Sequence, residues 1–339
     1  MARAAGRRRP RRRADRGGPA VTAPLPLRED AFAEPYRDPV FDGPADPVLV
    51  ADTVRGEWLL LYTQRRASLD LPGVEWVHGS RIGMAASADG GATWRYRGTV
   101  RGLDEGLTAE RATLWAPDVV RIGDRWRMYV TRIDGIPGDW TGRAAIAQFD
   151  SDDLVEWRLR GEIDLGSDRV IDAAVARTGD GLHRLWFKDE HRDSTTGVAV
   201  SDDPADPASW RVEGVAIGGR PHEGPKVFRL GGWFWMVVDE WRGLAVHRSP
   251  DGTAGWRRQS ADDGLILVRP EQVDGRAVSG RHADVVELGG ERALIVYFTH
   301  PEWDGSELAD MPATASRRRS HVRSAVLTVV DGVLVCSSD

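Results

Sequence analysis

The sequence predicts an all-β fold, a five-bladed β-propeller with four antiparallel strands per blade. Three observations carry that prediction. A hairpin unit recurs five times, a third apolar segment follows every hairpin, and after four of these segments comes an acidic or Gly turn and then a Trp.

The five hairpin units are ADPVLVADTVRGEWLLLYTQR from Ala45, APDVVRIGDRWRMYVTR from Ala116, IDAAVARTGDGLHRLWFKDE from Ile171, EGPKVFRLGGWFWMVVDE from Glu223 and HADVVELGGERALIVYFTH from His282. In four of them β-branched and aromatic residues flank a Gly-containing turn, at Gly123-Asp124, Gly179-Asp180-Gly181, Gly231-Gly232 and Gly289-Gly290, as a hairpin requires. The third segments lie at 82–86, 144–149, 198–200, 244–246 and 322–327, and Trp94, Trp157, Trp210 and Trp256 mark the fourth strands. A β-sandwich also has many short strands but gives no reason for five similar hairpins in one internal order. The four repeat Trp are therefore expected to pack between blades rather than to stack on a ligand.

The organisation read from the chain is a basic arm over residues 1–30, expected to be disordered, and one propeller over 31–339. The first twenty residues take eight of the 46 basic residues and one of the 52 acidic ones, which leaves the body at about −13 and argues against nucleic acid as a partner. Apolar stretches of four to six residues exclude a membrane-spanning helix. Residues 17–30 are broken by Pro and never reach seven apolar residues in a row, so no export signal is read and the cytoplasm is the expected compartment. Cys336 is the only cysteine, which rules out an internal disulfide framework and a cysteine zinc site.

In a propeller the first strand of each blade lines the central channel, so the strand starts converge. Here they carry Asp46, Asp118, Asp172, His222-Glu223 and His282, an excess of ionisable groups for a purely structural ring. Neighbouring carboxylates push their protonation states apart, so that one serves as proton donor and another as base or nucleophile. Cleavage of a glycosidic bond needs such a pair.

Ala45-Asp46-Pro47-Val48, Trp115-Ala116-Pro117-Asp118-Val119, Ile171-Asp172 with Asp180-Gly181, and Glu223-Gly224-Pro225 together resemble glycoside hydrolase family 43 over roughly residues 40 to 335. The resemblance implies a five-bladed enzyme that hydrolyses oligo- or polysaccharides of arabinoside, xyloside or galactoside type, usually with inversion. It makes Asp46 the general base, Asp172 the carboxylate that tunes and orients the acid, and Glu223 the general acid. Asp118 and Trp115 become pocket-lining residues. His282 matches a fifth-blade His near an axial ion, so a structural calcium is compatible, with no cofactor required for the chemistry. The His222-Glu223 pair is similar to the related family 117, in which a neighbouring His has been assigned the acid role, so His222 competes with Glu223.

Arg65 and the loops 66–80, 132–142 and 300–320 are expected at the channel mouth, where they select the sugar. Three other readings compete with this one. The segment 87–94 matches the Asp box of six-bladed sialidases, but only one full box is present. A phosphorylase with a phosphate site at Arg65, Arg281 and His282 is the second, and a non-catalytic sugar-binding propeller the third.

Overall fold

The computed structural model describes residues 25–104, 112–268, 271–273, 276–303 and 314–337. Blade 1 is β1 (Pro44–Asp52), β2 (Glu57–Gln64), β3 (Arg81–Ser87) and β4 (Arg95–Thr99). Blade 2 is β5 (Ala112–Ile122), β6 (Arg125–Asp134), β7 (Ala144–Ser151) and β8 (Arg158–Ile163), and blade 3 is β9 (Val170–Arg177), β10 (His183–Asp189), β11 (Thr195–Ser201) and β12 (Arg211–Ile217). Blade 4 holds β13 (Glu223–Leu230), β14 (Trp233–Asp239), β15 (Leu244–Ser249) and β16 (Arg257–Arg258), with β17 (Leu265–Ile266) added on β15. A separate hairpin, β18 (Glu271–Val273) with β19 (Arg276–Val278), precedes blade 5, which is β20 (Arg281–Gly289), β21 (Arg292–Thr299), β22 (His321–Val330) and β23 (Val333–Ser337). Each blade is an antiparallel meander, and the first strands adjoin in the closed order β1, β5, β9, β13, β20, β1. The five-bladed, four-stranded architecture read from the repeat is the one found. Among the described residues no helix is long and apolar enough to cross a membrane.

A blade wedged between two others is buried on both faces, which explains why its inner strands read as continuous apolar runs, while the outer strands are largely exposed. Along β2, Leu59 and Leu61 face blade 2 while Leu60 and Tyr62 face blade 5, so alternate residues feed different cores. Five apolar clusters fill the five gaps between blades. Trp157 and Trp210 are buried members of these clusters, Trp256 packs against one, and Trp94 lies against another with its ring stacked on Phe32 at 4.9 Å.

The ring is closed by the start of the described chain. Tyr36 exchanges two backbone hydrogen bonds of 3.0 Å with Val322, on the part of β22 that β23 leaves unpaired. Residues 25–30 already pack on the propeller: Leu27 is buried between blades 5 and 1, and the Arg28 N–H donates to the Gly90 carbonyl. The rest of the basic arm, residues 1–24, lies outside the described residues. The segment resembling an Asp box is one of four related turns after third strands. Ser87 with Asp89, Ser151 with Asp153, Ser201 with Asp203 and Ser249 with Asp251 each accept backbone N–H groups of their own turn.

Every first strand begins with a β-bulge, at the register skips 45/48, 115/118, 186/188 (read on β10), 223/226 and 281/283. Asp46, Ala116, Asp172 and Gly224 occupy the bulge with φ of +49°, +44°, +59° and +57°, and His282 holds the matching place in blade 5. Two residues further along stand Val48, Asp118, Ala174, Lys226 and Asp284. There the Lys226 ammonium donates to Asp118 and Asp284, both at 2.7 Å. The second oxygen of Asp118 accepts Val175 N–H, and that of Asp284 accepts Leu49 N–H. One network thus joins the inner strands of all five blades.

Removing the cation from such a network leaves two buried carboxylates facing each other. Lys226→Met should lower the free energy of unfolding by roughly 3–5 kcal/mol, measured by chemical denaturation. A variant as stable as the parent would show that the network does not hold the ring.

Candidate active site

Above this network a cavity of about 260 Å³ opens along the axis. Its floor and lower walls come from the strand starts: Asp46, Asp172 and His282 at the bulge, and Trp115, Ile171, Glu223 and Arg281 one residue earlier. The ends of the second strands supply Lys188, Asp239 and Phe298. An antiparallel hairpin returns its second strand to the rim where the first began, so these residues pair in register with Ile171, Glu223 and Arg281. The upper walls are Trp76 and Val77 from loop 66–80, Trp140 from loop 132–142, and His300 and Trp303 from loop 300–320, with Arg65, Glu190 and Trp241. All three loops expected at the mouth are there, though residues 304–313 lie outside the described chain.

Asp46 is buried, and Arg65 Nη2 lies 3.3 and 3.4 Å from its two oxygens. The Arg65 guanidinium in turn lies over Phe298 at 5.0 Å. Asp172 donates its backbone N–H to Thr131, and its Oδ2 accepts Gly224 N–H at 3.1 Å. His282 Nδ1 faces both carboxylates, 3.5 Å from Asp46 and 3.9 Å from Asp172. Its ring sits against Gly224, where a Cβ would come within 2.7 Å of His282 Cγ, so only glycine fits at that bulge.

Glu223 is held at both oxygens. Lys188 Nζ donates to Oε2 at 3.0 Å and Trp241 Nε1 to Oε1 at 2.9 Å. Asp239 accepts the N–H groups of Trp241 and His282, and Arg281 Nη1 lies 3.7 Å away. These contacts separate the protonation states. Burial pushes Asp172 up to about 7, with His282 opposing the shift and Glu223 and Asp46 adding to it. Burial would also raise Glu223, but the charge and hydrogen bond of Lys188, with Arg281 and His282 behind it, bring it down to about 2. Asp239 is raised by burial against the pull of Arg281.

The sequence-predicted residues divide clearly. Asp46, Asp172, Glu223, His282, Arg65 and Trp115 share the one cavity. Trp115 is fixed by a hydrogen bond from Nε1 to the Val77 carbonyl and by packing on His78. Asp118 does not line the cavity, because both its oxygens serve the axial network. His222 does not line it either. Its Nδ1 donates to the Arg220 carbonyl at 2.8 Å, so its Nε2 accepts from Thr196 Oγ1 at 2.6 Å, and burial lowers its pKa. Both ring nitrogens are thus engaged by the scaffold rather than turned to the cavity.

The side chains around His282 do not by themselves make up a calcium site. Calcium takes six to eight oxygen ligands, and among the described residues no group of three or more His, Cys, Asp or Glu side chains could hold a metal. The axis just inside His282 already holds a cation, the Lys226 ammonium. The three groups expected for a phosphate site, Arg65, Arg281 and His282, each face a carboxylate instead.

Reading only strand starts missed Lys188, Asp239 and Trp241. One sequence signal was available. Lys188 and Lys226 are the only lysines beside 44 arginines, and both lie at the axis between carboxylates. A compact ammonium on a flexible stem fits there, where a planar guanidinium fork would not.

The model of "Glycosyl hydrolases family 43" matches residues 69–308, more than two-thirds of the chain. No curated protein matches. Among solved structures, the chain resembles a thermostable family-43 glycoside hydrolase at 18% identity and TM-score 0.63, over 90% of this chain and 96% of that one. An exo-1,5-α-L-arabinanase from a bovine ruminal metagenomic library aligns at 16% identity and TM-score 0.62, over 89% and 99%. CoXyl43, a β-xylosidase/α-arabinofuranosidase from a compost microbial metagenome solved with xylotriose in calcium-free form, aligns at 14% and 0.60, over 89% and 98%. At these identities the structural likeness speaks for the propeller, and the family match speaks for the activity. The chain belongs to glycosyl hydrolase family 43 and is a glycosidase.

Proposed function

We propose that this glycosidase hydrolyses pentosides or related glycosides of plant-type oligosaccharides by inversion, with Asp46 as base, Glu223 as acid and Asp172 as the carboxylate that governs the acid. The observation that carries the reading is the placing of three carboxylates around one cavity. Asp46 stands on blade 1 and Glu223 on blade 4, which are not neighbours in the ring, while Asp172 stands on blade 3, beside Glu223. A base and an acid on opposite walls leave room for water at the anomeric carbon. That favours the separation of about 6.5–9.5 Å used for inversion over the 5–5.5 Å used for retention.

In the proposed reaction Asp46, oriented by Arg65, takes a proton from water as the oxygen attacks the anomeric carbon, and Glu223 protonates the departing glycosidic oxygen. The arabinanase and xylosidase likenesses support a five-carbon sugar. The Trp-rich walls suit the apolar faces of sugar rings.

Asp46→Asn and Glu223→Gln should each lower turnover of a cleaved arabinoside, xyloside or galactoside by about a hundredfold or more, with melting curves unchanged in shape. Proton NMR of the first-formed product should show the anomer opposite to that of the substrate. Retention of configuration, or full activity in both variants, would remove the assignment.

His222→Ala should be less stable than the parent by about 1–3 kcal/mol, since it strips Thr196 and the Arg220 carbonyl of their partner. Its pH–rate profile should keep the parental limbs. Loss of the alkaline limb in this variant would return the acid role to His222.

A further inference from the structure

Lys188 occupies a strand position that in three other blades serves the ring. At the same place Thr63, Thr131 and Asp239 each accept the backbone N–H at the bulge of the next blade. Between blades 3 and 4 that N–H belongs to Gly224 and goes to Asp172 instead. Lys188 is thereby released from the scaffold. Its ammonium lies 3.0 Å from Glu223 Oε2 and 3.4 Å from Glu190 Oε1, with the Trp241 ring at 5.3 Å. The side chain is only 6% exposed, so the charge must rest on one carboxylate or the other.

This arrangement conflicts with the task of an acid. A protonated carboxyl oxygen is a much weaker acceptor for an ammonium than a carboxylate oxygen, and both oxygens of Glu223 now receive donors. A bound substrate changes the balance. The glycosidic oxygen has no hydrogen, so an ionised Glu223 would set two acceptors face to face, whereas a protonated one donates to it. The ammonium already has its second acceptor in reach, and Glu190 is anchored in turn by Arg169.

We propose that Lys188 is a positioning residue that arms the acid: in the empty pocket it bridges Glu223 and Glu190 and keeps Glu223 ionised, and with substrate bound it moves wholly to Glu190 while Glu223 takes up a proton. The proposal rests on Glu223 being the acid. The proton comes from Asp172, on the adjacent strand β9, so Asp172 becomes a carboxylate as Glu223 becomes the carboxylic acid and one proton is conserved. The other charged groups facing Glu223 are Asp239 at the end of β14 and Arg281 and His282 on β20. They stay in place through the exchange, because backbone hydrogen bonds and ion pairs hold them.

The test is the pH dependence of kcat/KM for the full chain and two variants. Lys188→Met removes an opposite charge beside Glu223. The acid then stays protonated to higher pH, and the alkaline limb should move up by about 1–3 pH units. Glu190→Gln leaves the ammonium no alternative to Glu223, so the limb should move down. Its loss of kcat should be at least about tenfold greater on an oligosaccharide than on the 2,4-dinitrophenyl glycoside, whose leaving group needs no proton. Alkaline limbs that stay at the parental pH overturn the proposal, and Glu190→Gln alone decides it if Lys188→Met does not fold. Glu223→Gln separates the two ideas: an equal loss on both substrates would remove the acid role itself, whatever Lys188 does.

Discussion

Five sheets can meet at one axis only if the polar edges of their inner strands are satisfied there, and a single ammonium organises how this is done. Lys226 binds Asp118 and Asp284, and those carboxylates reach across to the backbone of blades 3 and 1. Breaking any link strands a buried charge or an unpaired N–H, which costs far more than the pair contributes when whole. The network therefore acts as a registration device. It fixes how far each inner strand is inserted, and so the height at which the next residues outward, Asp46, Asp172 and His282, face the cavity.

The same repeat that builds the ring also builds the site. Each inner strand opens with a bulge, and in the first four blades the bulge holds its residue in a left-handed conformation, which Asp is one of the few side chains to tolerate. Ala116 adopts that conformation without touching the chemistry, so the strain belongs to the blade and was not introduced for catalysis. Function enters by substitution at equivalent positions: Asp in blades 1 and 3, Gly in blade 4 to admit the His282 ring, and His in blade 5. One residue earlier the same logic yields Trp115, Glu223 and Arg281.

The pocket places five carboxylates, Asp46, Asp172, Glu190, Glu223 and Asp239, among three permanent cations, Arg65, Lys188 and Arg281. Such a set cannot be fully ionised without water, and proximity decides who gives way. Glu223 has the ammonium and is pulled down; Asp172, which accepts the Gly224 N–H and faces His282, is pushed up by burial. Acid and base strength here are properties of the cluster rather than of any one residue.

Much was legible in the chain because blades repeat. The hairpins, the Gly turns, the Trp-marked fourth strands and the carboxylates Asp46, Asp172 and Glu223 are visible as a pattern, since a blade is a local structure whose strands follow one another in sequence. The pattern could not tell which polar group at the axis faces the cavity and which faces the network. Asp118 and Asp46 stand at strand starts alike, yet two residues of offset send one to Lys226 and the other to Arg65. It could not show that His222 spends both nitrogens on Thr196 and Arg220, or that Lys188 reaches Glu223 across a blade boundary. The sequence by itself determined the architecture and the residues available to the site. Tertiary structure alone decided their partners, because charge pairing and desolvation depend on distances between blades that no local pattern encodes.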